Sequence, residues 1–336
     1  MKDSRHHKVA NAVGHALAAA GIARDFPVLA GISGGLDSMV LLDALRAVGQ
    51  STIVVHLDHR LRGRESTADA AFVAARCAPM PCVCGRSDVA KLAARENLSI
   101  EAAGRFARRA LFARAARKYK TCHLLLAHHA DDQAETVMWN LLRGSGLAGA
   151  AGMAGESWQD FPGGTRVQVI RPLLGLRRKE LESHARSHAL AWREDASNAD
   201  PGFTRNRLRH QVFPVLDAAT GRDTITALAR FADIAREDNR MLDQMAVEAL
   251  ASLHRDHGTL DLAGMRALPM ALRRRVLILW IVSRPLPVPA YDDITRALAV
   301  IDGSARPARA NLPGNFHLAR REKRIWLEGP DGNPAR

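Results

Sequence analysis

Short apolar runs alternate with helix-patterned stretches through the first half of the chain, and no other feature limits the fold as much. FPVLAGIS (26–33), STIVVHLD (51–58), PCVCGRSDV (81–89) and CHLLLAHHA (122–130) are short and apolar, each fit for a buried strand. Helical spacing fills the gaps: Ser38 to Val48, ESTADAAFVAARCA (65–78) and IEAAGRFARRALFARAARKY (100–119), with DDQAETVMWNLLRG (131–144) after the fourth run. Strands alternating with helices argue for an α/β fold, a Rossmann-like parallel sheet with helices on both faces. RVQVIRPLLG (166–175) is expected to add a fifth strand, and RRKELESHARSHALA (177–191) a helix. SGLAGAAGMAGE (145–156) reads as a flexible connection or a tight crossing, and WREDASNADPGFTRNRLRH (192–210) as a polar loop entering a basic helix. From about Pro214 the pattern is helical, apart from a small β-element in LPGNFHLARREKRIWLEG (312–329). A boundary is expected near 214–222. It would divide a catalytic domain, 1–216, from a smaller, mainly helical C-terminal domain, 217–336.

Charge narrows the partners. The 336 residues carry a formal net charge of +13, with a sequence pI near 10.5. A chain this basic suits a polyanion, and nucleic acid comes first. Cys77, Cys82, Cys84 and Cys122 form no C-x-x-C pair, so zinc-ribbon and thioredoxin-like readings lack their spacing. Free thiols in a reducing cytosol are expected. The N-terminus reads as an amphipathic helix without the apolar core of a signal peptide. No apolar run approaches ~18 residues. The expected setting is cytoplasmic, with no membrane partner.

GISGGLDS (31–38) joins the first strand to a helix. A strand, a glycine-rich turn and a helix N-terminus make an anion site, because first-turn amides point outward along the helix dipole. Gly34 and Gly35 let the backbone approach a ligand. Ser33 and Ser38 offer hydroxyls, and Asp37 sits in the first turn, where magnesium could neighbour it. The turn lacks the lysine of the Walker A loop and is not G-x-G-x-x-G. Phosphate charge must then be balanced by magnesium, the dipole and arginines from elsewhere. The plainer reading is an ordinary tight turn capped by Ser or Asp.

Three other stretches carry chemistry. VVHLDHRLRGRES (54–66) gathers His56, Asp58, His59 and Arg62 at a strand end, a metal cluster or, more commonly, a polar cleft edge. SIEAAGRFARRALF (99–112) sets Glu101, Arg105 and Arg108 on one helix face, with Glu101 and Arg105 spaced as an i,i+4 ion pair. In LAHHADDQAETVMWNLLRGSG (126–146), His128 and His129 end a strand, while Asp131, Asp132 and Glu135 open a helix. D-x-x-E at a helix start is a capping pattern. Two histidines and three acids at a strand's C-terminal edge exceed what a cap needs, and that edge is where open α/β sheets bind ligands.

S-G-G-x-D-S resembles the pyrophosphate-loop signature of the N-type ATP pyrophosphatases. Within that superfamily, H-x-x-H-x-L-R, H-H-x-D-D-Q-x-E-T, R-P-L-L with R-x-E-L, and E-D-x-S-N with R-N-x-x-R are similar to the motifs of tRNA(Ile)-lysidine synthetases, over about residues 25–216. ALPMALRRRVLILWI (267–281) and the final β-element look like that family's small C-terminal domain. One position departs: Arg109 stands where the family usually has tyrosine.

The resemblance implies ATP and Mg2+ as cofactors. It implies adenylation of a wobble cytidine (CAU anticodon) in an isoleucine tRNA, then ligation of free L-lysine to give lysidine, changing the codon read from AUG to AUA. The implied ATP site is Ser33, Gly34, Gly35, Leu36, Asp37 and Ser38, with His56, Arg105 and His128. Asp37 would hold the metal. Asp132 and Glu135 would take the lysine ammoniums and Arg108 its carboxylate, making Asp37, Arg108, Asp132 and Glu135 the catalytic set. Arg205, Arg209, Arg273, Arg274 and Arg275 would hold tRNA, and a second copy of the chain stands among the expected partners. The alternatives are a tRNA thiolase, for which this chain lacks C-x-x-C pairs; an amidating synthetase, for which no glutaminase domain fits; and a non-catalytic RNA-binding relative.

Overall fold

The computed structural model describes residues 7–61, 63–194, 204–284, 286–304, 308–331 and 333. The chain divides into two compact units, 1–236 and 237–336. The first holds a six-stranded sheet in the order β3-β2-β1-β4-β6-β5. Its strands are β1 (Val28–Gly31), β2 (Thr52–Asp58), β3 (Cys82–Arg86), β4 (His123–Leu125), β5 (Glu156–Phe161) and β6 (Thr165–Ile170). All pairings are parallel except β5 with β6. This is the expected doubly wound sheet, with β6 as the expected fifth strand. β5 is an addition: ESWQDF is polar, exposes alternate residues, and hairpins onto β6 through Gly163 and Gly164, both at positive φ.

The helices are α1 (Lys8–Ala19), α2 (Leu36–Ala47), α3 (Arg64–Cys77), α4 (Val89–Glu96), α5 (Ile100–Tyr119), α6 (Ala130–Leu142), α7 (Leu147–Ala150), α8 (Arg178–Ser187), α9 (Thr204–Arg207), α10 (Phe213–Thr220) and α11 (Thr224–Leu253). Strand residues alternate between two cores, as the period-2 pleat requires. Val28, Ala30 and Val54 pack with α1, α2 and α8, while Leu29, Ile53 and Val55 pack with Leu111 and Phe112 of α5. Both faces being buried explains why these strands read as continuous apolar runs.

The strand order fixes where a ligand can bind. The chain leaves β1 for β2 and β3 on one side, then returns to place β4 on the other. The crevice beyond the C-terminal ends of β1 and β4 is therefore the topological switch point, the usual ligand position in an open α/β sheet. α2 opens directly after β1, and α6 after β4.

The first unit runs further than the expected boundary. Arg236 donates to the carbonyls of Ala151 (3.0 Å) and Met153 (3.1 Å), and Asp223 pairs with Arg177, so residues 217–236 stay with the sheet. Most of the E-D-x-S-N stretch, and Arg62, lie outside the described residues. The second unit contains the rest of α11, then α12 (Leu262–Ala267), α13 (Met270–Val282) and α14 (Tyr291–Asp302). It also has an antiparallel sheet ordered β7-β10-β9-β8: β7 (Leu260–Asp261), β8 (Arg309–Leu312), β9 (Phe316–Arg321) and β10 (Arg324–Glu328). Its core joins Val276, Trp280, Ile301, Leu318 and Ile325. The expected β-element at 312–329 corresponds to β9 and β10; β7 and β8 complete it.

Candidate active site

The turn between β1 and α2 is built to admit an anion. At its root, a Cβ on Gly31 would come within 2.8 Å of Leu126 and 2.9 Å of Phe112, so no side chain fits there. Gly34 has φ +93°, which glycine adopts without strain. Ser38 Oγ donates to the Gly35 carbonyl (2.8 Å) and accepts from the Gly34 amide (3.1 Å). Ser33 Oγ donates to Ser38 Oγ (3.2 Å) and accepts from the Gly35 amide (3.3 Å). Gly35 is the N-cap of α2 and offers no side-chain acceptor, so the first-turn amides stay available to an anion. Leu36 contributes its backbone; its side chain is buried.

Across the crevice, α6 begins at His129, whose side chain has no exposed surface. Its amide donates to Asp132 Oδ2 (3.0 Å), and its Nδ1 accepts from the Asp131 amide (3.2 Å). The capping pattern expected as D-x-x-E is thus realised by His129 and Asp132. Three carboxylates ring the imidazole: Asp37 and Asp131 at 3.6 Å and Asp132 at 3.5 Å. Burial pushes the His129 pKa down, but bonds to Asp131 and Asp37 and the nearby charges outweigh it and raise it to about 10. A protonated ring cannot accept the Asp131 amide. Three part-buried carboxylates outweigh one long capping bond, so the imidazolium is the favoured form. Asp37 and Asp131 gain correspondingly: burial raises each pKa, yet His129 and nearby arginines bring both below the ordinary value.

Arginines from distant segments close this cluster. At the start of α8, Arg177 Nε lies 3.2 Å from Asp131, the Arg178 amide donates to the same oxygen (2.9 Å), and Arg178 Nη1 lies 3.4 Å from Asp37. Arg209 sits on a π-helical turn, Leu208–Val212, between α9 and α10. Its Nε donates to Glu135 Oε1 (2.7 Å), and its Nη2 lies 3.3 Å from Asp132. Glu135 is 2% exposed, and burial raises its pKa despite Arg209. Four carboxylates thus face Arg177, Arg178, Arg209 and a protonated His129, with Asp223 and Glu182 sharing the first two arginines. Yet Asp37 Oδ1 is buried and makes no hydrogen bond. An unpaired carboxylate oxygen beside an anion-binding turn suits a hard divalent cation, and Mg2+ needs only one or two protein carboxylates when phosphates complete its shell.

A positive rim borders the acids. His128 is neutral, its pKa lowered to about 4 mainly by burial, and Arg171 and Arg205 add to the depression. Burial lowers the Arg171 pKa to about 10, with Arg105 adding to it. Burial and Arg105 also lower that of Arg108, whose Nη2 lies 3.3 Å from His59 Nε2. Among the described residues, Arg105 makes no ion pair with Glu101; its charge is felt at Arg108, Arg109 and Arg171 instead. His56, at the end of β2, bonds through Nδ1 to the Ile32 carbonyl (2.9 Å), leaving Nε2 buried without a partner.

The PP-loop domain family matches residues 6–216, and the TilS substrate binding domain family matches 260–326. The tRNA(Ile)-lysidine synthase of Geobacter sulfurreducens is 37% identical over 333 residues, covering 90% of this chain and 68% of the relative. The chain belongs to the tRNA(Ile)-lysidine synthase family. That of Deinococcus radiodurans is 44% identical over 249 residues, covering 74% of this chain but only 39% of its own length. A U34-tRNA thiolase from Methanococcus maripaludis shares the fold, with a TM-score of 0.56 at 18% identity, over 70% of this chain and 80% of its own.

Set against the lysidine synthase motifs, the structure distributes the expected residues unevenly. Ser33 to Ser38 form the turn, and Asp37, Asp132 and Glu135 meet around His129 and Arg209. Arg209, expected on tRNA, is instead the partner of the two acids expected to bind lysine. Arg205 is exposed and near enough to His128 to affect it. Arg273 pairs with Asp302 and donates to the Leu268 carbonyl (3.0 Å), and Arg275 pairs with Asp243 and Asn239 (2.9 Å); both serve the second unit's own packing. Arg274 lies over the exposed Tyr291 ring at 5.8 Å. Arg109, at the family's tyrosine position, turns to β5, donating to Gln159 Oε1 (2.8 Å) and the Asp160 carbonyl (2.6 Å) above the Phe161 ring. The roles of Arg177 and Arg178 were not legible singly. Two arginines at a helix N-terminus oppose the dipole, and that was the signal that they answer acids elsewhere.

Proposed function

We propose that this chain ligates L-lysine to the wobble cytidine of an isoleucine tRNA at the expense of ATP. The observation that carries this reading is the convergence of Asp37, from the glycine turn, with Asp131, Asp132 and Glu135 of α6 at the switch point.

The turn's amides, with the Ser33 and Ser38 hydroxyls, hold the pyrophosphate as the cytidine O2 attacks the α-phosphorus of ATP, a stabilisation of developing charge. Asp37 is the residue to hold Mg2+, which supplies charge neutralisation on the phosphates. The lysine amine then attacks C2 of the adenylated cytidine, AMP leaves with the oxygen, and the amine gives up a proton. That amine starts as an ammonium with a pKa near ~10.4. Asp132 and Glu135 are the acids to receive it, and Arg209 must yield one of them, because its guanidinium already pairs with both. Arg108, on the positive rim, suits the lysine carboxylate or the AMP phosphate, and His56 and His128 suit the nucleotide. Arg205 and Arg274 suit tRNA phosphates, with the second unit as the tRNA-holding domain and the cytoplasm as the setting. Among the described residues no helix is long and apolar enough to cross a membrane.

The test is incorporation of radiolabelled lysine into bacterial tRNA with ATP and Mg2+, comparing wild type and Asp37→Ala. ATP-dependent labelling that needs Asp37 supports the reading. ATP cleavage to AMP without lysine transfer would leave the pyrophosphatase chemistry and remove the substrate. Neither reaction, from folded protein with native tRNA, would favour a binding protein.

A further inference from the structure

We propose that Asp43 Oδ2, His184 Nε2 and His188 Nδ1 form a second metal site, for zinc or a similar borderline transition ion, joining α2 to α8 away from the glycine turn. Asp43 lies on α2, and His184 and His188 are an i,i+4 pair at the end of α8. Both imidazoles address the same carboxylate oxygen, at 2.9 Å from His184 and 3.0 Å from His188. Their rings stack at 4.0 Å with planes 28° apart. The three ligand atoms all lie within 4.8 Å of one another.

Tetrahedral zinc holds nitrogen and oxygen at about 2.0–2.1 Å, so its ligand atoms stand about 3.3 Å apart. The two nitrogen–oxygen spacings need to open by only a few tenths of an ångström. Two imidazoles and one carboxylate favour zinc, nickel or copper over magnesium, which prefers an all-oxygen shell. This site therefore differs in kind from Asp37. His184 is buried, whereas Asp43 and His188 are 23% and 29% exposed at their side chains, giving an ion a way in. His184 Nδ1 is buried and makes no hydrogen bond. The ring thus lacks the outer partner that usually strengthens a metal-bound histidine, which lowers affinity by about 10–100-fold.

The placement gives the ion a consequence. α2 and α8 both begin in the candidate active site, where Asp37 meets Arg178. Asp43 and His184 meet further along the same two helices. An ion there would clamp the helix that carries the glycine turn to the helix that carries Arg177 and Arg178.

The experiment is zinc titration of the chelator-stripped full chain by calorimetry, in excess Mg2+ to occupy hard-cation sites. A Cys82→Ser/Cys84→Ser/Cys122→Ser background removes competition from the accessible thiols. One equivalent should bind, with affinity at least tenfold weaker in Asp43→Asn and in His188→Gln. His188 is partly exposed, so its variant should melt like the parent and keep the comparison interpretable. Cobalt should bind with a nitrogen/oxygen spectrum lost in the same variants, and zinc should raise the melting temperature of the parent alone. Absence of stoichiometric binding, or undiminished binding in both variants, would overturn the proposal and leave Asp43 as a hydrogen-bond acceptor for two histidines.

Discussion

Arginines gather in both units, but they meet different partners. In the first, Arg177 and Arg178 from the start of α8 and Arg209 from the π-helical turn, two distant segments, close on acids at the ends of β1 and β4. In the second, Arg273 and Arg275 come from one helix and close on Asp302, Asp243 and main-chain carbonyls. The unpaired buried atoms differ in the same way. The first unit leaves a carboxylate oxygen, Asp37 Oδ1, unanswered alongside the donors His129 Nε2, Arg171 Nε and Arg236 Nε; among the described residues the second leaves guanidinium and indole donors, Arg273 Nε, Arg284 Nε and Trp280 Nε1. An unanswered acceptor among arginines invites a cation and its phosphates. An unanswered donor on a guanidinium whose other arms are bonded costs little and invites nothing.

The largest expected break is Asp37→Ala. Losing the carboxylate proposed to hold Mg2+ should cut lysine incorporation by ~10³-fold or more, since a positioned Lewis acid supplies several kcal/mol at the transition state. Folding should persist, because Asp37 is partly exposed and its neighbours keep other partners. Equal incorporation by mutant and wild type would separate the turn from catalysis.

Next is Arg209→Ala. It strands Glu135, nearly fully buried, without a counter-charge, and breaking a buried pair costs roughly 3–5 kcal/mol. Chemical denaturation should show that loss, and Arg209→Ala/Glu135→Gln should recover most of it. If the single variant is as stable as wild type, the pair is not the tie it looks like.

These two predictions concern residues of unequal legibility. The turn and the acids of α6 were readable because each lies in one contiguous stretch, where strand, turn and helix start fix the local geometry. The parallel strands were readable because both faces are buried. β5 was not, because a polar edge hairpin has no apolar signature. Nor was the partnership of Arg209 with Glu135: the residues are far apart in sequence, and a basic helix end looks the same whether it faces tRNA or an acid. The division at 236 falls later than the expected 216 for a similar reason. Residues 217–236 are held to the first unit by Arg177 and Arg236, contacts that composition does not register.

A pH dependence sharpens the contrast between His128 and its neighbour. The fold holds His128 neutral, with a pKa near 4 against 6.5 for the free group. Between those values the unfolded chain takes a proton that the native chain refuses. The contribution of His128 is therefore full above about pH 6.5 and is lost as pH drops towards 4, by up to roughly 3 kcal/mol, whereas that of His129, with its raised pKa, is lost as pH rises towards 10. His128→Gln should flatten that slope in melts across the same range; an unchanged slope would assign it to other groups.

In the second unit the arginines should separate by assay. Arg273→Ala should lower stability by about 1–2 kcal/mol, as a lost charge-assisted bond does, and leave the salt dependence of tRNA binding unchanged. Arg274→Ala should do the reverse, reducing the slope of log affinity against log salt by about 1. The opposite assignment would mean that the internal pairs open to meet tRNA.

The smallest effect is expected at the position where this chain departs from its family. Arg109→Tyr removes bonds to Gln159 and the Asp160 carbonyl and a cation–π contact with Phe161, all at the β5 edge. Such contacts at a part-exposed site contribute of order 1 kcal/mol, and a tyrosine ring on Phe161 replaces some of that. The melting temperature should fall slightly, with lysine incorporation near wild type. A large loss of activity with an unchanged melt would place Arg109 among the groups that touch substrate. The positive rim of Arg105, Arg108 and Arg171 would then extend one residue further along α5 than its contacts indicate.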